Sequence, residues 1–198
     1  PYYPPVEKGF GGPDNYGYRW IDSDEPSGPA VQWTDISGTG TSVTLKDDDF
    51  VGPIPIGFGF PFYQNVYSEL YICSNGYLSF GQGYTYTLNT RLPNSNVPNN
   101  IIAMWWDDLN PEAYGNVYYK YDAVNERFIV SFVGVPFYRS HAGTGSLTFE
   151  AIIYPSGRIE FQYGTMNPGD AVQGLAGATI GIENSDGTDG LTVVYNAA

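Results

Sequence analysis

Apolar and polar residues along this chain fall mostly into runs of strand length separated by Gly, Pro, Asn and Asp. The longest unbroken apolar run is Ile101 to Trp106, which stops at Asp107, Asp108, Asn110 and Pro111. A continuous run of that length fits a strand covered on both faces, and Pro111 excludes further ladder pairing. The pattern therefore predicts a central strand there. Downstream, Val117, Tyr119 and Tyr121 alternate with Tyr118 and Lys120, and Phe128, Val130 and Phe132 with Ile129, Ser131 and Val133. Strands Leu147–Tyr154 and Arg158–Tyr163 are joined by Pro155-Ser156-Gly157, a hairpin loop with Gly at the left-handed position. That register turns Phe149, Ala151, Ile153, Ile159, Phe161 and Tyr163 inward, and Glu150, Arg158, Glu160 and Gln162 outward to solvent. Ala178–Glu183 and Leu191–Tyr195 predict a last hairpin.

Upstream, Tyr18–Ile21 and Val31–Ile36 read as two short strands around an acidic Pro/Gly loop, and Ser42–Lys46 as another. Large residues alternate with Gly in Ile56–Phe60. Val66–Cys73 then leads into Ser74-Asn75-Gly76-Tyr77, where Asn-Gly predicts a type I′ turn that pairs Cys73 with Leu78. Tyr84–Asn100, with Asn89, Asn94, Asn96, Asn99 and Asn100, reads as a long surface loop. The whole is an all-β chain, an antiparallel β-sandwich (jelly-roll-like) of roughly twelve short strands. Residues 13–198 form one domain, preceded by an extended Pro-rich arm over residues 1–12. In that arm Pro1, Pro4 and Pro5 flank Tyr2 and Tyr3, which favours polyproline II.

Composition supports this picture. Aromatic residues make up 17% of the 198, with 18 Tyr and 11 Phe to build a core, and Gly 25 and Pro 15 supply turns. A chain of this length can bury roughly 70% of its unfolded surface. Acids outnumber bases 21 to 8, a net charge of −13 that disfavours nucleic acid and suits divalent cations. No apolar run approaches the ~18 residues of a membrane span, and the chain opens without the basic and apolar regions of a signal peptide, as expected where one has been removed. The single Cys73 permits no internal disulfide and leaves the compartment open.

The order of motifs is distinctive. Ser74-Asn75-Gly76-Tyr77-Leu78-Ser79-Phe80-Gly81 is followed by Ile102-Ala103-Met104-Trp105-Trp106-Asp107-Asp108-Leu109, Val117-Tyr118-Tyr119 and Arg127-Phe128-Ile129-Val130-Ser131-Phe132. The series closes with Thr148–Phe161 and its Pro155-Ser156-Gly157 turn. It resembles the nidogen-like extracellular domain, and more closely a bacterial β-sandwich repeat of large secreted or surface proteins, often beside subtilisin-like peptidases. Gly57–Tyr63 and Ala178–Asn184 resemble that bacterial version too. Met104 stands where the pattern more often has Pro, and Cys73 where it has Ser. The resemblance covers about Gly12 to Asn196 and implies a secreted, extracellular or cell-surface protein. These motifs are mostly core and turn, so they specify fold more than function.

Catalytic inventory is thin. The sole His141 follows Ser140 in a Gly-rich loop, and adjacency in sequence does not build a triad. Asp107 and Asp108 are neighbours on a strand and point to opposite faces. Glu150 and Glu160 lie diagonally on one outward face, an arrangement some sandwich glycosidases use, and a solvated face explains them more simply. No enzyme is expected. Two acidic loops, Asp22, Asp24 and Glu25 in one and Asp107 and Asp108 in the other, carry the hard oxygen ligands calcium takes. The leading expectation is a structural subunit that associates with other copies of itself, with Tyr2, Tyr3, Pro4, Pro5, Val6 and Phe10 as an assembly arm. The alternative is an accessory module that adheres to glycan or protein, with Tyr-rich loops such as Gly83–Leu88 stacking on sugars.

Overall fold

The computed structural model describes residues 9–138, 144–172 and 177–197. In chain order the strands are β1 (Phe10–Gly11), β2 (Trp20–Ile21), β3 (Thr41–Val43), β4 (Phe50–Phe62), β5 (Asn65–Cys73), β6 (Tyr77–Ser79) and β7 (Ile101–Trp106). They continue as β8 (Asn116–Asp122), β9 (Arg127–Val135), β10 (Ser146–Ile153), β11 (Ile159–Asn167), β12 (Ala178–Glu183) and β13 (Gly190–Ala197), with a short 3-10 turn at Gly169–Val172. A six-stranded sheet runs β13-β12-β7-β6-β5-β4 and a five-stranded sheet β11-β10-β9-β8-β3, while β1-β2 form a separate ribbon. All described pairings are antiparallel. The two sheets face each other as a β-sandwich.

The core between them follows the period-two pattern. Ile54, Ile56, Phe60, Phe62, Leu70, Ile72, Leu78, Ile102 and Met104 from one sheet meet Val117, Phe128, Val130, Phe132, Phe149, Ala151 and Ile153 from the other. Phe132 and Phe149 stack across β9 and β10 with ring centroids 4.9 Å apart. β7 lies inside its sheet between β6 and β12, as its continuous apolar run predicts. Its other face is covered as well. Ile101, Ala103 and Trp106 join Cys73, Tyr77 and Leu92 in a second apolar cluster outside the sheet.

That cover is the segment between β6 and β7, so the expectation of a simple surface loop over Tyr84–Asn100 is corrected. Leu92, Asn99 and Asn100 are buried. The segment is fixed by side chains rather than by a ladder. Tyr86 N–H donates to the Tyr77 hydroxyl at 3.0 Å, Trp106 Nε1–H donates to Tyr86 O at 3.1 Å, and Leu92 N–H donates to Thr192 Oγ1 at 3.0 Å.

A second cover crosses the outer face of the five-stranded sheet. Val31–Ile36 is not a strand. It crosses the face of β11, β10 and β9 instead of pairing along an edge, and N–H groups of the segment find side-chain acceptors. Gln32 N–H donates to Gln162 Oε1 at 3.1 Å and Thr34 N–H to Glu150 Oε1 at 2.9 Å. Ile36 packs on Ile129 and Ile152 beneath. Glu150 and Gln162 do point outward, yet both are buried under this strap, which corrects the expected solvated face.

The Asn-Gly hairpin also differs from expectation. Cys73 pairs with Tyr77 and Ile72 with Leu78, so the loop holds Ser74, Asn75 and Gly76. Gly76 alone of the three has positive φ, at 76°. A Cβ on it would lie 2.1 Å from Trp105 O, so only glycine fits there.

Candidate functional site

The end of β7 is where the most acidic side chains converge, and Asn75 is the joint that makes them do so. Its Oδ1 accepts from Leu109 N–H at 2.9 Å, its carbonyl from Asp107 N–H at 3.3 Å, and its Nδ2 donates to Asp48 Oδ1 at 3.1 Å. Gly76 O accepts from Met104 and Trp105 N–H, both at 3.1 Å. Ser74 completes the clamp: its N–H donates to Asp49 O at 2.8 Å, and Asp49 N–H donates to Ser74 Oγ at 2.9 Å. One buried loop thereby locks the turn 46–49 against the strand end.

Carboxylate oxygens of Asp47, Asp48 and Asp108 lie within 4.8 Å of one another as a result. Asp47 has its carboxyl pushed up by burial first, then by Asp48 and Glu112, and its Oδ1 is buried without a hydrogen-bond partner. Three such oxygens are chemically able to supply part of the ~6–8 ligands of a calcium ion. Of the two residues expected here, only Asp108 joins the cluster. Asp107 turns the other way and is buried, accepting from Asp108 N–H at 2.8 Å and Gly177 N–H at 3.3 Å. Burial pushes its carboxyl up to about 6. The other expected loop gathers no cluster among the described residues: Asp22 Oδ1 accepts from Asp24 N–H at 2.9 Å as an Asx turn, and the Glu25 side chain lies against Gly9. In the sequence Asp47 and Asp48 belong simply to the charged run Lys46-Asp47-Asp48-Asp49, and the pairing of Ser74 with Asp49 that places them has no local signal.

The remaining candidates are accounted for individually. Glu150 accepts from Ser131 Oγ at 2.9 Å as well as from Thr34, and Glu160 pairs with Arg158 on the hairpin. Glu150 is raised by burial. Cys73 is buried in the outer cluster and its thiol is pushed up to about 12. Phe10, the one described residue of the six expected to carry assembly, is 66% exposed in β1. Tyr2, Tyr3, Pro4, Pro5 and Val6 lie outside the described residues, as do Ser140 and His141.

Fold and site together define a β-sandwich module whose buried polar groups are mostly committed to holding covers on its sheets. A family model described as NIDO related matches residues 27–198, and the chain belongs to this nidogen-related family. Domains of this kind are typically extracellular. No curated protein and no solved structure matches the chain. Among the described residues no helix is long and apolar enough to cross a membrane.

Proposed function

We propose that this nidogen-related module is a non-catalytic structural subunit that associates with other copies of itself through its N-terminal arm. The observation that carries the reading is the β1–β2 ribbon. It belongs to neither sheet, and its cross-strand partners Phe10 and Ile21 are 66% and 43% exposed. A two-stranded ribbon is marginal by itself, and exposed apolar pairs on it favour a partner. In the sequence, residues 1–8 immediately precede that ribbon and include Tyr2, Tyr3, Pro4, Pro5 and Val6. Contact with the same surface of each next copy is heterologous and grows into a filament unless rotation closes it. The net charge of −13 opposes such contacts, so association strengthens with salt.

Sedimentation velocity of the full chain and of a chain lacking residues 1–8 tests this. The full chain is expected to self-associate, increasingly at higher ionic strength, and the shortened chain to stay monomeric with an unchanged far-UV spectrum. Equal association of the two removes the reading. The adhesive alternative has its own observation: Tyr86 and Leu88 are 44% and 82% exposed on a loop whose Tyr86 backbone is held at both N–H and C=O. A rigid, exposed aromatic is a suitable platform for a sugar face. Glycan binding that is lost in Tyr86→Ala, with no self-association of the full chain, favours that reading.

A further inference from the structure

The loop between β1 and β2 and the β10–β11 hairpin face each other across Pro61 of β4. Together Tyr16, Gly17, Tyr18, Pro61, Ser156 and Gly157 line an open groove of about 230 Å³. We propose that this groove is the acceptor for a proline-rich segment, residues 1–8 of a second copy; this rests on the self-association reading and names the surface that receives the arm.

The groove is built rather than incidental. Asp14 Oδ1 accepts from Gly17 N–H at 2.7 Å and Tyr18 N–H at 2.8 Å, and its Oδ2 from the Tyr63 hydroxyl at 3.1 Å. Asp14 N–H closes the loop on Tyr18 O at 3.0 Å. Asn15 N–H donates to Asp189 Oδ1 at 3.0 Å, which ties the loop to the turn before β13. Tyr16 is therefore held in place although it is 48% exposed, with its ring 5.6 Å from that of Tyr18 and 5.4 Å from that of Tyr63. Holding an aromatic half out of a rigid loop has no benefit for the core, since Tyr18, Phe62 and Tyr63 already pack below it.

The chemistry matches a polyproline-II ligand. Such a segment docks by laying prolyl rings against aromatic faces and asks for few backbone hydrogen bonds, because proline has no N–H. The lining offers two Tyr rings and a Pro ring. At Gly17 the position of a Cβ is open, with no heavy atom within 4 Å, so the backbone is accessible to a ligand. The volume falls below the ~300 Å³ at which small-molecule pockets begin. It suits a strip of side chains from an extended chain.

Direction selects the copy. β1 runs antiparallel to β2 with Gly11 beside Trp20 and Phe10 beside Ile21, and Gly9 O accepts from Asp22 N–H at 2.7 Å. Followed toward residue 8, the chain moves along Asp22 and away from Tyr18. An arm docking in its own groove would have to reverse that direction. The arm of a neighbour carries no such constraint.

The test uses the full chain and a fluorescent peptide of sequence Pro-Tyr-Tyr-Pro-Pro-Val-Glu-Lys. Saturable binding is expected by anisotropy, weakened about tenfold or more, the scale of a lost aromatic anchor, in Tyr16→Ala and in Ser156→Arg. Both positions are exposed, and unchanged melting temperatures establish that the variants fold. A peptide with both Pro4→Ala and Pro5→Ala is expected to bind similarly weakly, and excess unmodified peptide to dissociate any assembly. Absent binding, or equal binding by both groove variants, overturns the assignment. If removal of residues 1–8 abolishes assembly while both groove variants still assemble, the arm reading stands and the groove assignment falls. If the peptide binds in the groove and the full chain stays monomeric, the groove remains a proline-rich receptor and the self-assembly reading falls.

Discussion

Glu183 offers the sharpest test of how the cover over the six-stranded sheet is held. It is the last residue of β12, fully buried, and sits beneath the segment between β6 and β7. Its Oε2 accepts from Asn94 N–H at 2.8 Å. In the orientation its carbonyl-rich surroundings require, the Asn99 amide nitrogen reaches Oε1 at 3.2 Å but also meets Asn94 O at 2.8 Å and Asn96 O at 3.0 Å. Oε1 thus shares that one amide donor with backbone carbonyls. Burial pushes the carboxyl from 4.5 up to about 8, with the Asn94 bond opposing. A raised folded-state value means that the native protein binds the proton more tightly than the unfolded chain. Stability from this group is thus complete below about 4.5, falls as pH rises, and is lost above about 8. At roughly 1.36 kcal/mol per unit, the cost at pH 7 has an upper value of roughly 3 kcal/mol. Glu183→Gln keeps an acceptor for Asn94 and removes the titration. Urea denaturation at pH 5, 7 and 8.5 is expected to show the variant within about 1 kcal/mol of the unmodified protein at pH 5, and more stable by roughly 2–4 kcal/mol at pH 8.5. A stability difference that does not change with pH refutes the reasoning.

Trp106→Ala is expected to cost roughly 3–5 kcal/mol in urea denaturation, because a fully buried ring and the donor to Tyr86 O are lost together; a loss below about 1 kcal/mol contradicts the role of the outer cluster. Asn75→Ala leaves Leu109 N–H unpaired in a buried place and frees Asp48, for a loss of roughly 2–3 kcal/mol by the same assay. Asp47→Asn relieves a crowded carboxylate, so its melting temperature rises at low ionic strength and the gain shrinks with salt; a gain insensitive to salt tells against repulsion as the cause. Cys73 is expected to resist a thiol reagent until denaturant is added, and rapid labelling of the native protein would contradict its burial.

What the residue pattern reveals here is direction, and what it conceals is cover. Alternation correctly turns Phe149, Ala151 and Ile153 to one side and Glu150 to the other. Whether the other side meets water depends on a segment more than a hundred residues earlier in the chain, as in the pairing of Thr34 with Glu150. That strap carries one buried apolar residue, Ile36, and the other cover chiefly Leu92, too few to register as periodicity. β7 was legible because covering both faces makes its own run continuous. The Asn-Gly turn misled because its asparagine serves long-range bonds to Leu109 and Asp48 instead of the local geometry of a two-residue turn. The acidic cluster depends on that same joint, so of the adjacent pair Asp107 and Asp108 only Asp108 meets Asp47 and Asp48.

The cover between β6 and β7 has a consequence for synthesis on the ribosome. β6 and β7 are neighbours in the sheet, yet the segment joining them takes many of its anchors from the last two strands: Thr179 Oγ1 donates to Thr90 O, Glu183 receives Asn94, and Thr192 both accepts from and donates to Leu92. Those anchors emerge about a hundred residues after the segment they hold. Until then the cover over Tyr77, Ile101 and Trp106 has its bonds through Tyr86 but none of these later anchors. The C-terminal hairpin therefore acts as the keystone of the nascent chain, and shortening it exposes an aromatic face far away in sequence, where partly made β-proteins are most prone to aggregate.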